Sequence, residues 1–511
     1  MLPTLPHRRI FNEEALQLSL SSGRYPEYLG IEGPRDVDDP QTRTALDFLL
    51  KLWPEVLLDL IVEETNRYGA RSSKWVNVNR EDIMTFLGLI VLMGIKRLPR
   101  ISDYWSSDLN FCCNLPPLTR FMSRTRFWQI WSHLHVVDNG KLSSREGLTR
   151  KFKPVLDILS QTFFANYSPG QELSVDEAMI KYKGRIRGKV RMPDKPIKEG
   201  FKIWCCCCSC CGYLLTFQVY EGKPIDPASG KSVSEKGMVN RVVNDLVGIF
   251  EGHNHVVYMD NFYTSGPLAD QLAQKKIFIA GTIKQRSSGF PSDLCSVKLP
   301  KGSYVSKRVG EVSYYVFEDR KRVSFITNVF PESMESRVVR MQLDGSFQFQ
   351  SIPPLLPAYN KFMGGVDRFN HLRKTYGFNR KAKRYWIRPF FQFFDYAINN
   401  AYLLYKHNCS IFSISPISLL AFRTSLVKLL LGSGKHQRHS VALRRSRGSD
   451  SAQTRSSCTL CHVSDVGLSR GRCVHCINVG RTPVHHTTFA CSFCGVRLCK
   501  MPCFAEFHVD S

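Results

Sequence analysis

Apolar residues recur at helical spacing in three segments near the start of the chain. They return every three or four residues across 46–61, and the segments 81–95 and 121–137 repeat this pattern. Such a period is typical of helices that bury one face. Residues 1–40 are rich in proline and charge and have no clear period. We therefore predict a flexible N-terminal arm followed by a helical domain over residues 41–168.

The hydrophobic pattern changes after Pro169 to short runs rich in β-branched and aromatic residues. Runs at 173–184, 200–208 and 213–223 predict strands, and a further run at 255–260 lies between two stretches with helical spacing. Strands that alternate with helices indicate an α/β core. The middle of the chain is therefore predicted to be an α/β domain.

Three further segments complete the chain. Residues 286–356 are again β-rich, which predicts a hairpin or a small inserted sheet. Helical spacing resumes near Asn360 and ends near Leu431. Residues 432–457 are basic and rich in serine and glycine, as linkers are. The remaining residues, 458–511, form a Cys-rich segment.

The charge balance indicates a polyanionic partner. The formal net charge is +26, from 70 Lys and Arg against 44 Asp and Glu. Nucleic acid is the polyanion that this excess of basic residues favours most. Ribosomal proteins and membrane-surface proteins have a similar excess. The first residues contain no apolar segment typical of a secretory signal, and no apolar run approaches the ~20 residues of a membrane span. We expect an intracellular protein with reduced thiols and no membrane partner. The basic residues 444–447 suggest nuclear import.

Three aspartates are candidates for a catalytic metal site. Asp176, Asp260 and Asp367 each lie where a strand is predicted to end or a helix to begin. A single aspartate in such a position is usually a helix cap or a turn residue. Three of them on one α/β core indicate ligands for Mg²⁺, and two such ions can serve phosphoryl transfer. We expect the three carboxylates to converge to within a few ångströms.

The cysteines near the C-terminus have the spacing of zinc ligands. Paired cysteines two residues apart, followed by further Cys and His residues, suit tetrahedral Zn²⁺. We predict two structural Zn²⁺ ions. The candidate ligands are Cys473, Cys476, Cys491, Cys494, Cys499, Cys503, His508 and, as the eighth, His486 or its neighbour His485, with Cys458 and Cys461 as a competing pair.

A second group of cysteines lies in the middle of the chain. Six of the residues 205–211 are cysteine, within a predicted hairpin. Alternate residues of a strand point to opposite faces, which favours small buried thiols. A metal cluster is the alternative interpretation.

Two basic segments are candidates for DNA contact. In residues 181–187, which follow Asp176, every second side chain is basic. Residues 373–386, which follow Asp367, combine basic and aromatic side chains. Lys and Arg neutralise phosphates, and aromatic rings stack on exposed bases. The candidates are Lys181, Lys183, Arg185, Arg373, Lys374, Arg380, Lys381, Lys383, Arg384 and Trp386.

Several long segments of the chain resemble the piggyBac transposase family. They include LGLIVLMGIKRLPRISDYWS (87–106), RFWQIWSHLHVVDN (126–139), LSVDEAMIKYKGR (173–185), MPDKPIKEGFKIW (192–204), VVYMDNFYTS (256–265) and YNKFMGGVDRFN (359–370). The resemblance covers about residues 45–410 and also the ending LCKMPCFAEFH.

The resemblance implies an α/β fold whose catalytic core is RNase H-like and divided in two. The implied parts are core segments 169–285 and 357–375, a β-rich insertion 286–356, a helical DNA-binding and dimerisation domain from 41–168 and 376–431, and a C-terminal cross-brace zinc finger. Asp176, Asp260 and Asp367 match the family's catalytic aspartates. The implied activity is metal-dependent DNA cleavage and strand transfer at TTAA sites, by a homodimer in the nucleus.

Two residues depart from the family pattern and keep an alternative open. Asn370 stands where the family usually has a further acid, and Tyr385 follows Arg384 where the family usually has Trp. Asparagine can bind a metal but brings no negative charge. The alternative function is that of a catalytically inactive, domesticated protein that binds specific DNA or chromatin.

Overall fold

In the computed structural model the chain divides into two compact units, residues 1–435 and 436–511. The described residues are 26–106, 118–142, 147–193, 195–224, 233–334, 336–341, 346–378, 380–432, 460–462, 470–479, 484–491, 496–500 and 502–503. The predicted N-terminal arm up to residue 25, nearly all of the linker and the basic residues 444–447 lie outside them. No helix in the described ranges has both the length and the apolar composition to cross a membrane.

Helices occupy most of residues 45–166. They are α1 (Ala45–Leu52), α2 (Glu55–Gly69), α3 (Arg80–Ile95), α4 (Arg124–His133) and α5 (Lys153–Asn166). The predictions at 81–95 and 121–137 are confirmed as α3 and α4. The segment 46–61, with its single apolar period, is divided between the two helices α1 and α2. Pro54 has no amide hydrogen to continue α1, and it is the N-cap residue of α2.

A nine-stranded mixed sheet occupies the middle of the chain. Its strands are β3 (Glu172–Lys181), β4 (Val190–Arg191), β5 (Glu199–Cys208), β6 (Leu214–Val219), β7 (His255–Met259), β8 (Ile277–Thr282), β9 (Tyr304–Val309), β10 (Val312–Glu318) and β11 (Arg322–Thr327), after a short pair of β1 (Gly33–Pro34) and β2 (Tyr167–Ser168). The order is β4-β5-β3-β7-β8-β11-β10-β9, and β6 pairs with β5. β5 is antiparallel to β3, whereas β7 and β8 are parallel to β3. Helices α6 (Met238–Val247) and α7 (Gly266–Gln274) precede and follow β7.

The β-rich segment after β8 continues the central sheet. β11 pairs antiparallel with β8, and β10 and β9 follow outward, after a short helix α8 (Asp293–Ser296). Only β12 (Ser336–Met341) and β13 (Phe347–Ile352) form a hairpin of their own among the described residues. The predicted hairpin is confirmed as β10–β11, but it extends the core sheet and is not a small separate sheet. The edge of β8 explains this, since its backbone groups are available to a further strand.

Four helices complete the first unit. They are α9 (Leu356–Phe362), α10 (Gly365–Tyr376), α11 (Ile387–Ile411) and α12 (Leu419–Gly432). α11 packs against α1, and α12 packs against α3. The approach of α12 is close, since a Cβ atom added at Gly88 would lie 2.9 Å from the Cβ atom of Leu430. Helices from both ends of this unit therefore form one helical body, and α10 lies on the sheet.

The second unit is small. Its elements are β14 (Leu460–His462), β15 (Gly471–Arg472), α13 (Val474–Asn478), β16 (His486–Thr487) and β17 (Phe489–Cys491). β14 pairs with β17, and β15 pairs with β16. Its described core consists mainly of cysteine side chains with Leu498.

Candidate catalytic and metal sites

Asp176 and Asp260 lie next to each other on the two central strands. Ser174 on β3 is opposite Tyr258 on the parallel strand β7. Asp176 and Asp260 each follow two residues later, so both side chains point to the face of the sheet that Ser174 occupies. Neighbouring strands lie ~4.8 Å apart. Asp260 follows the end of β7 as predicted, but Asp176 lies within β3, which continues to Lys181.

Both aspartates are held by backbone hydrogen bonds. Asp176 accepts the N–H of Glu177 at 2.7 Å, and Asp260 accepts the N–H of Phe262 at 2.8 Å. Burial, together with the negative charges of Glu177 and Asp260, raises the pKa of Asp176 to about 7. A cation beside this pair would therefore be stabilised, since a buried carboxylate near like charges is poorly solvated.

A second layer of charged and polar groups supports the aspartate pair. Glu177 accepts hydrogen bonds from the Tyr263 hydroxyl at 2.7 Å and pairs with Lys195 at 2.9 Å and Lys202 at 3.6 Å. Although burial opposes it, these partners hold the pKa of Glu177 below its usual value. Burial also opposes the charge of Lys195, but the hydrogen bond to Glu177 and the charge of Asp176 raise the pKa of Lys195. The side chain of Lys195 therefore stays protonated beside the aspartate pair.

Sequence reasoning did not single out Glu177, Lys195 or Tyr263. All three lie inside the segments that carry the family resemblance, which was the available signal. Tyr359 on α9 was also missed. Burial raises its pKa, and the charges of Asp260 and Asp176 add to this effect.

Helix α10 begins against the same face of the sheet. The N–H of Val366 donates to Ser174 Oγ at 3.2 Å. A Cβ atom on Gly365 would lie 2.3 Å from Ser174 Oγ and 3.0 Å from the carbonyl oxygen of Cys208, so only glycine permits this contact. Asp367, as predicted, is in the first turn of α10. The start of α10 is therefore attached to β3 at Ser174, two residues before Asp176 along the strand.

The three carboxylates do not converge as expected. Within the described part of the chain, two sets of three or more ligand side chains have their ligand atoms within 4.8 Å of one another, and the aspartates form neither set. Val366 and Phe369 bury one side of α10, so Asp367, about 100° further round the helix, is exposed. Its carboxylate borders a cavity of about 580 Å³ that His371 and Lys406 also line.

Asn370 lies between Asp367 and Arg373 on the surface of α10, because residues three apart are neighbours on a helix. Its Oδ1 atom is buried and has no hydrogen-bond partner among the described residues. Arg373 is itself buried and donates to the carbonyl of Met179 on β3 at 3.0 Å. Asn370, where the chain departs from the family pattern, therefore lies on the part of α10 that borders β3.

The predicted DNA-contact residues separate into two groups. Six are exposed: Lys181, Lys183, Arg185, Lys374, Lys381 and Lys383. Four are engaged within the protein. Arg373 and Trp386 are buried, which argues against direct DNA contact, whereas Arg380 and Arg384 are partly buried and their contact with DNA stays a prediction. Arg384 donates to the carbonyls of Leu134, at 2.8 Å, and Trp131, and burial lowers its pKa to about 10.

The remaining members of the engaged group also have structural partners. Arg380 donates to the carbonyls of Pro99, at 2.8 Å, and Leu98. Trp386 is 2% exposed and is in contact with the ring of Phe390. A buried ring cannot stack on a base, so Trp386 is part of the core.

Four of the candidate zinc ligands come together in the second unit. The sulfur atoms of Cys473, Cys476, Cys499 and Cys503 all lie within 4.8 Å of one another. Cys476 Sγ is 3.4 Å from Cys503 Sγ and 4.0 Å from Cys499 Sγ. Four clustered thiols suit a tetrahedral structural Zn²⁺.

Among the candidates whose side chains the structure describes, Cys491 and His486 are not members of this set. Cys491 is buried on β17, and His486 is exposed on β16. Cys458, Cys494 and His508 lie outside the described residues, as does the side chain of Cys461. A second ion in this unit stays a prediction.

Several known proteins are similar in sequence to this chain. The sequence profile of a family described as Transposase IS4 matches residues 44–402. Human PiggyBac transposable element-derived protein 3 is 27% identical over 477 residues, which are 92% of this chain and 77% of that protein. Human PiggyBac transposable element-derived protein 5 is 25% identical over 412 residues, or 77% of this chain and 76% of that protein.

A solved structure has a similar fold. It is a piggyBac transposase synaptic complex with hairpin DNA, with a TM-score of 0.69 and 21% identity over 92% of this chain and 99% of that chain. The class is therefore that of transposases. The chain belongs to the piggyBac transposase family.

Proposed function

We propose that the protein cleaves and joins DNA strands in a Mg²⁺-dependent reaction at TTAA sites. The observation that carries the proposal is the alignment of Asp176 and Asp260 on adjacent parallel strands. Carboxylates are the ligands that Mg²⁺ prefers, and bound Mg²⁺ activates the attacking oxygen and stabilises the leaving one in phosphoryl transfer. The raised pKa of Asp176 indicates a group that gains from a nearby cation.

The sheet order supports an RNase H-like core. In β6-β5-β3-β7-β8 the first three strands are antiparallel and the last two are parallel to β3, as the family resemblance implies. Asp367 is the third proposed catalytic aspartate, because its helix is attached to Ser174. Its exposed carboxylate would have to turn toward Asp176 to take part.

The chain's own residues supply the binding surface for DNA. Lys195 keeps a positive charge beside the aspartate pair, where it can hold a backbone phosphate. Lys181, Lys183 and Arg185 are exposed along the continuation of β3, and Lys381 and Lys383 follow α10. The solved transposase of similar fold is bound to hairpin DNA, which supports DNA as the partner.

We further propose that Zn²⁺ is bound by Cys473, Cys476, Cys499 and Cys503, and that the protein acts as a homodimer in the nucleus. The four-thiol cluster supports the first statement. Two DNA ends must be cut together, which favours a dimer. The basic residues 444–447 are the proposed import signal.

A second candidate function is DNA binding without catalysis. The exposed position of Asp367 and the missing acid at Asn370 favour it, since a site for two divalent ions would then lack negative charge. Both candidates use the same basic surface, so binding alone does not distinguish them.

Cleavage of a TTAA-flanked, hairpin-forming substrate with Mg²⁺ distinguishes the two candidates. We expect strand cleavage by the wild type and none by Asp260→Asn, with equal DNA affinity in the absence of metal. The exposed Asp270 on α7 gives a matched control, Asp270→Asn, which should cleave as the wild type does. Inactivity of the wild type on every suitable substrate, with DNA binding intact, would support the second function.

A further inference from the structure

A cluster of thiols and a carboxylate lies at the turn between β5 and β6. Glu32, Cys208 and Cys210 have ligand atoms that all lie within 4.8 Å of one another. Cys208 Sγ is 3.6 Å from Glu32 Oε1. In a tetrahedral zinc site, bonds of ~2.3 Å to sulfur and ~2.1 Å to oxygen separate neighbouring ligand atoms by roughly 3.5–3.8 Å. The spacing is therefore already close to that of a metal site.

Several donors surround the sulfur atom of Cys208. The Cys210 and Cys211 thiols and the backbone N–H groups of Cys211 and Gly170 donate hydrogen bonds to it. No Lys or Arg in the described part of the chain forms an ion pair with Glu32. Among the described residues, the cluster therefore brings possible metal ligands together without a Lys or Arg side chain paired to Glu32.

Tyr167 connects the cluster to a third part of the chain. Its hydroxyl is 3.2 Å from Glu32 Oε1, 3.4 Å from Cys211 Sγ and 3.0 Å from His407 Nε2 on α11. Such hydrogen bonds orient the ligands of metal sites. The carboxylate also needs Gly170, because a Cβ atom there would lie 2.5 Å from Glu32 Oε2.

We propose that Glu32, Cys208 and Cys210 bind a structural Zn²⁺ ion, with Cys211, whose thiol donates a hydrogen bond to Cys208, as the fourth ligand. The mixed set of thiolate and carboxylate ligands suits zinc, which accepts both sulfur and oxygen. The ion would join the segment that contains β1 to the β5–β6 turn. It is separate in the chain from the four-thiol cluster of the second unit and adds one zinc per chain.

Zinc content of the full chain, purified without chelator, tests this proposal. We expect Cys210→Ser and Glu32→Gln each to lose one zinc per chain relative to the wild type. Cys210 and Glu32 are both exposed, so the changes should leave the far-ultraviolet circular dichroism unchanged. Cys295 is another exposed cysteine, and the control Cys295→Ser should keep the wild-type zinc content.

Cobalt substitution provides an independent measurement. The wild type should show a stronger thiolate-to-cobalt charge-transfer band than Cys210→Ser. The difference in absorbance should correspond to one cobalt site per chain. If Cys210→Ser fails to fold, Glu32→Gln decides, because it keeps every thiol. Equal zinc content in the wild type and Glu32→Gln, or a disulfide joining Cys208 to Cys210 or Cys211 in peptide mapping, would overturn the proposal.

Discussion

At the scale of single residues, Asp176 combines a position in the candidate site with an unfavourable charge. Its ordinary pKa is 3.8, and burial beside Glu177 and Asp260 raises the value to about 7. Between these values the folded chain binds more protons than the unfolded chain. The ionised carboxylate therefore reduces the free energy of unfolding as the pH rises through this window, and the whole loss is present above the upper value.

We expect Asp176→Asn to remove this pH dependence. Its free energy of unfolding should exceed that of the wild type above pH 7, and the difference should disappear below pH 3.8, where both side chains are neutral. Mg²⁺ should stabilise the wild type at high pH and not the variant. Thermal unfolding across this pH range measures both effects, with Asp270→Asn as the exposed control. A difference that is constant with pH would contradict the assignment of the raised pKa to Asp176.

Asn370 stands where the family resemblance implies a further acid, so it bears on the choice between the two proposed functions. Its buried Oδ1 has no partner among the described residues. We expect Asn370→Asp to increase cleavage at low Mg²⁺, since one more negative charge ~4 Å from an ion contributes about 1 kcal/mol even in water. Without Mg²⁺ the same change should lower the melting temperature, because it buries a charge. Cleavage that is unchanged at every Mg²⁺ concentration would exclude Asn370 from the metal site.

At the scale of elements, the contact between α10 and β3 sets the position of the candidate site. Gly365 and Gly364 are adjacent glycines with different surroundings. A Cβ atom on Gly365 would meet Ser174 and the backbone of Cys208, whereas a Cβ atom on Gly364 has nothing within 4 Å. The φ angle of Gly364 is −86°, which any residue can adopt.

We expect Gly365→Ala to displace the start of α10 from the sheet. The free energy of unfolding should fall by about 1–3 kcal/mol, the usual cost of an overpacked core, and cleavage should fall with it. Gly364→Ala should change neither by more than about 0.5 kcal/mol. Denaturant unfolding and the cleavage assay give the two readouts. Equal behaviour of the two variants would show that the close contact is not needed.

The basic segment after α10 contains two kinds of charge. Lys381 and Lys383 are exposed, whereas Arg384 donates to the carbonyls of Leu134 and Trp131. Exposed lysines that neutralise phosphates each contribute about 0.9 to the slope of log K against log salt. The charge pattern of the segment alone did not distinguish these roles.

We expect the double change of Lys381 and Lys383 to Ala to lower the salt slope of DNA binding by about 2 and to leave stability unchanged. Arg384→Ala should instead cost roughly 1–3 kcal/mol of stability, because it leaves buried carbonyl groups without donors. Salt titration of binding and thermal unfolding separate these effects. A salt slope unaffected by the double change would mean that the lysines do not contact phosphate.

At the scale of the whole molecule, the two units depend on different sources of stability. The first unit has a continuous core that includes both the helices and the sheet. The described core of the second unit is five buried residues, of which four are cysteines. A unit of this kind takes much of its folding free energy from metal binding.

We expect Cys476→Ser to unfold the second unit and to leave the melting transition of the first unit unchanged. The variant should lose zinc, and limited proteolysis should remove the residues after the linker. His486→Gln is the control, because the exposed His486 lies outside the four-thiol set. Retention of all zinc by Cys476→Ser would rule out the four-thiol site, and loss of zinc from His486→Gln would restore His486 as a ligand.

The sequence by itself determined the local features of this protein. Apolar residues at helical spacing predicted α3 and α4, and short runs of β-branched and aromatic residues predicted the strands β3, β5 and β7, because both signals are local in the chain. Segments such as LSVDEAM and YMDNFYTS carried the family, and the pairs of cysteines predicted the thiol cluster of the second unit.

Only the tertiary structure decided which distant residues meet. It joined β11 to β8, partly buried Arg384, buried Trp386, and turned Asp367 toward solvent while Asp176 and Asp260 share a face. It also brought Glu32 to Cys208 from a remote part of the chain. These outcomes depend on how helices and strands pack, and a rotation of 100° per helical residue is enough to move a carboxylate away from a site.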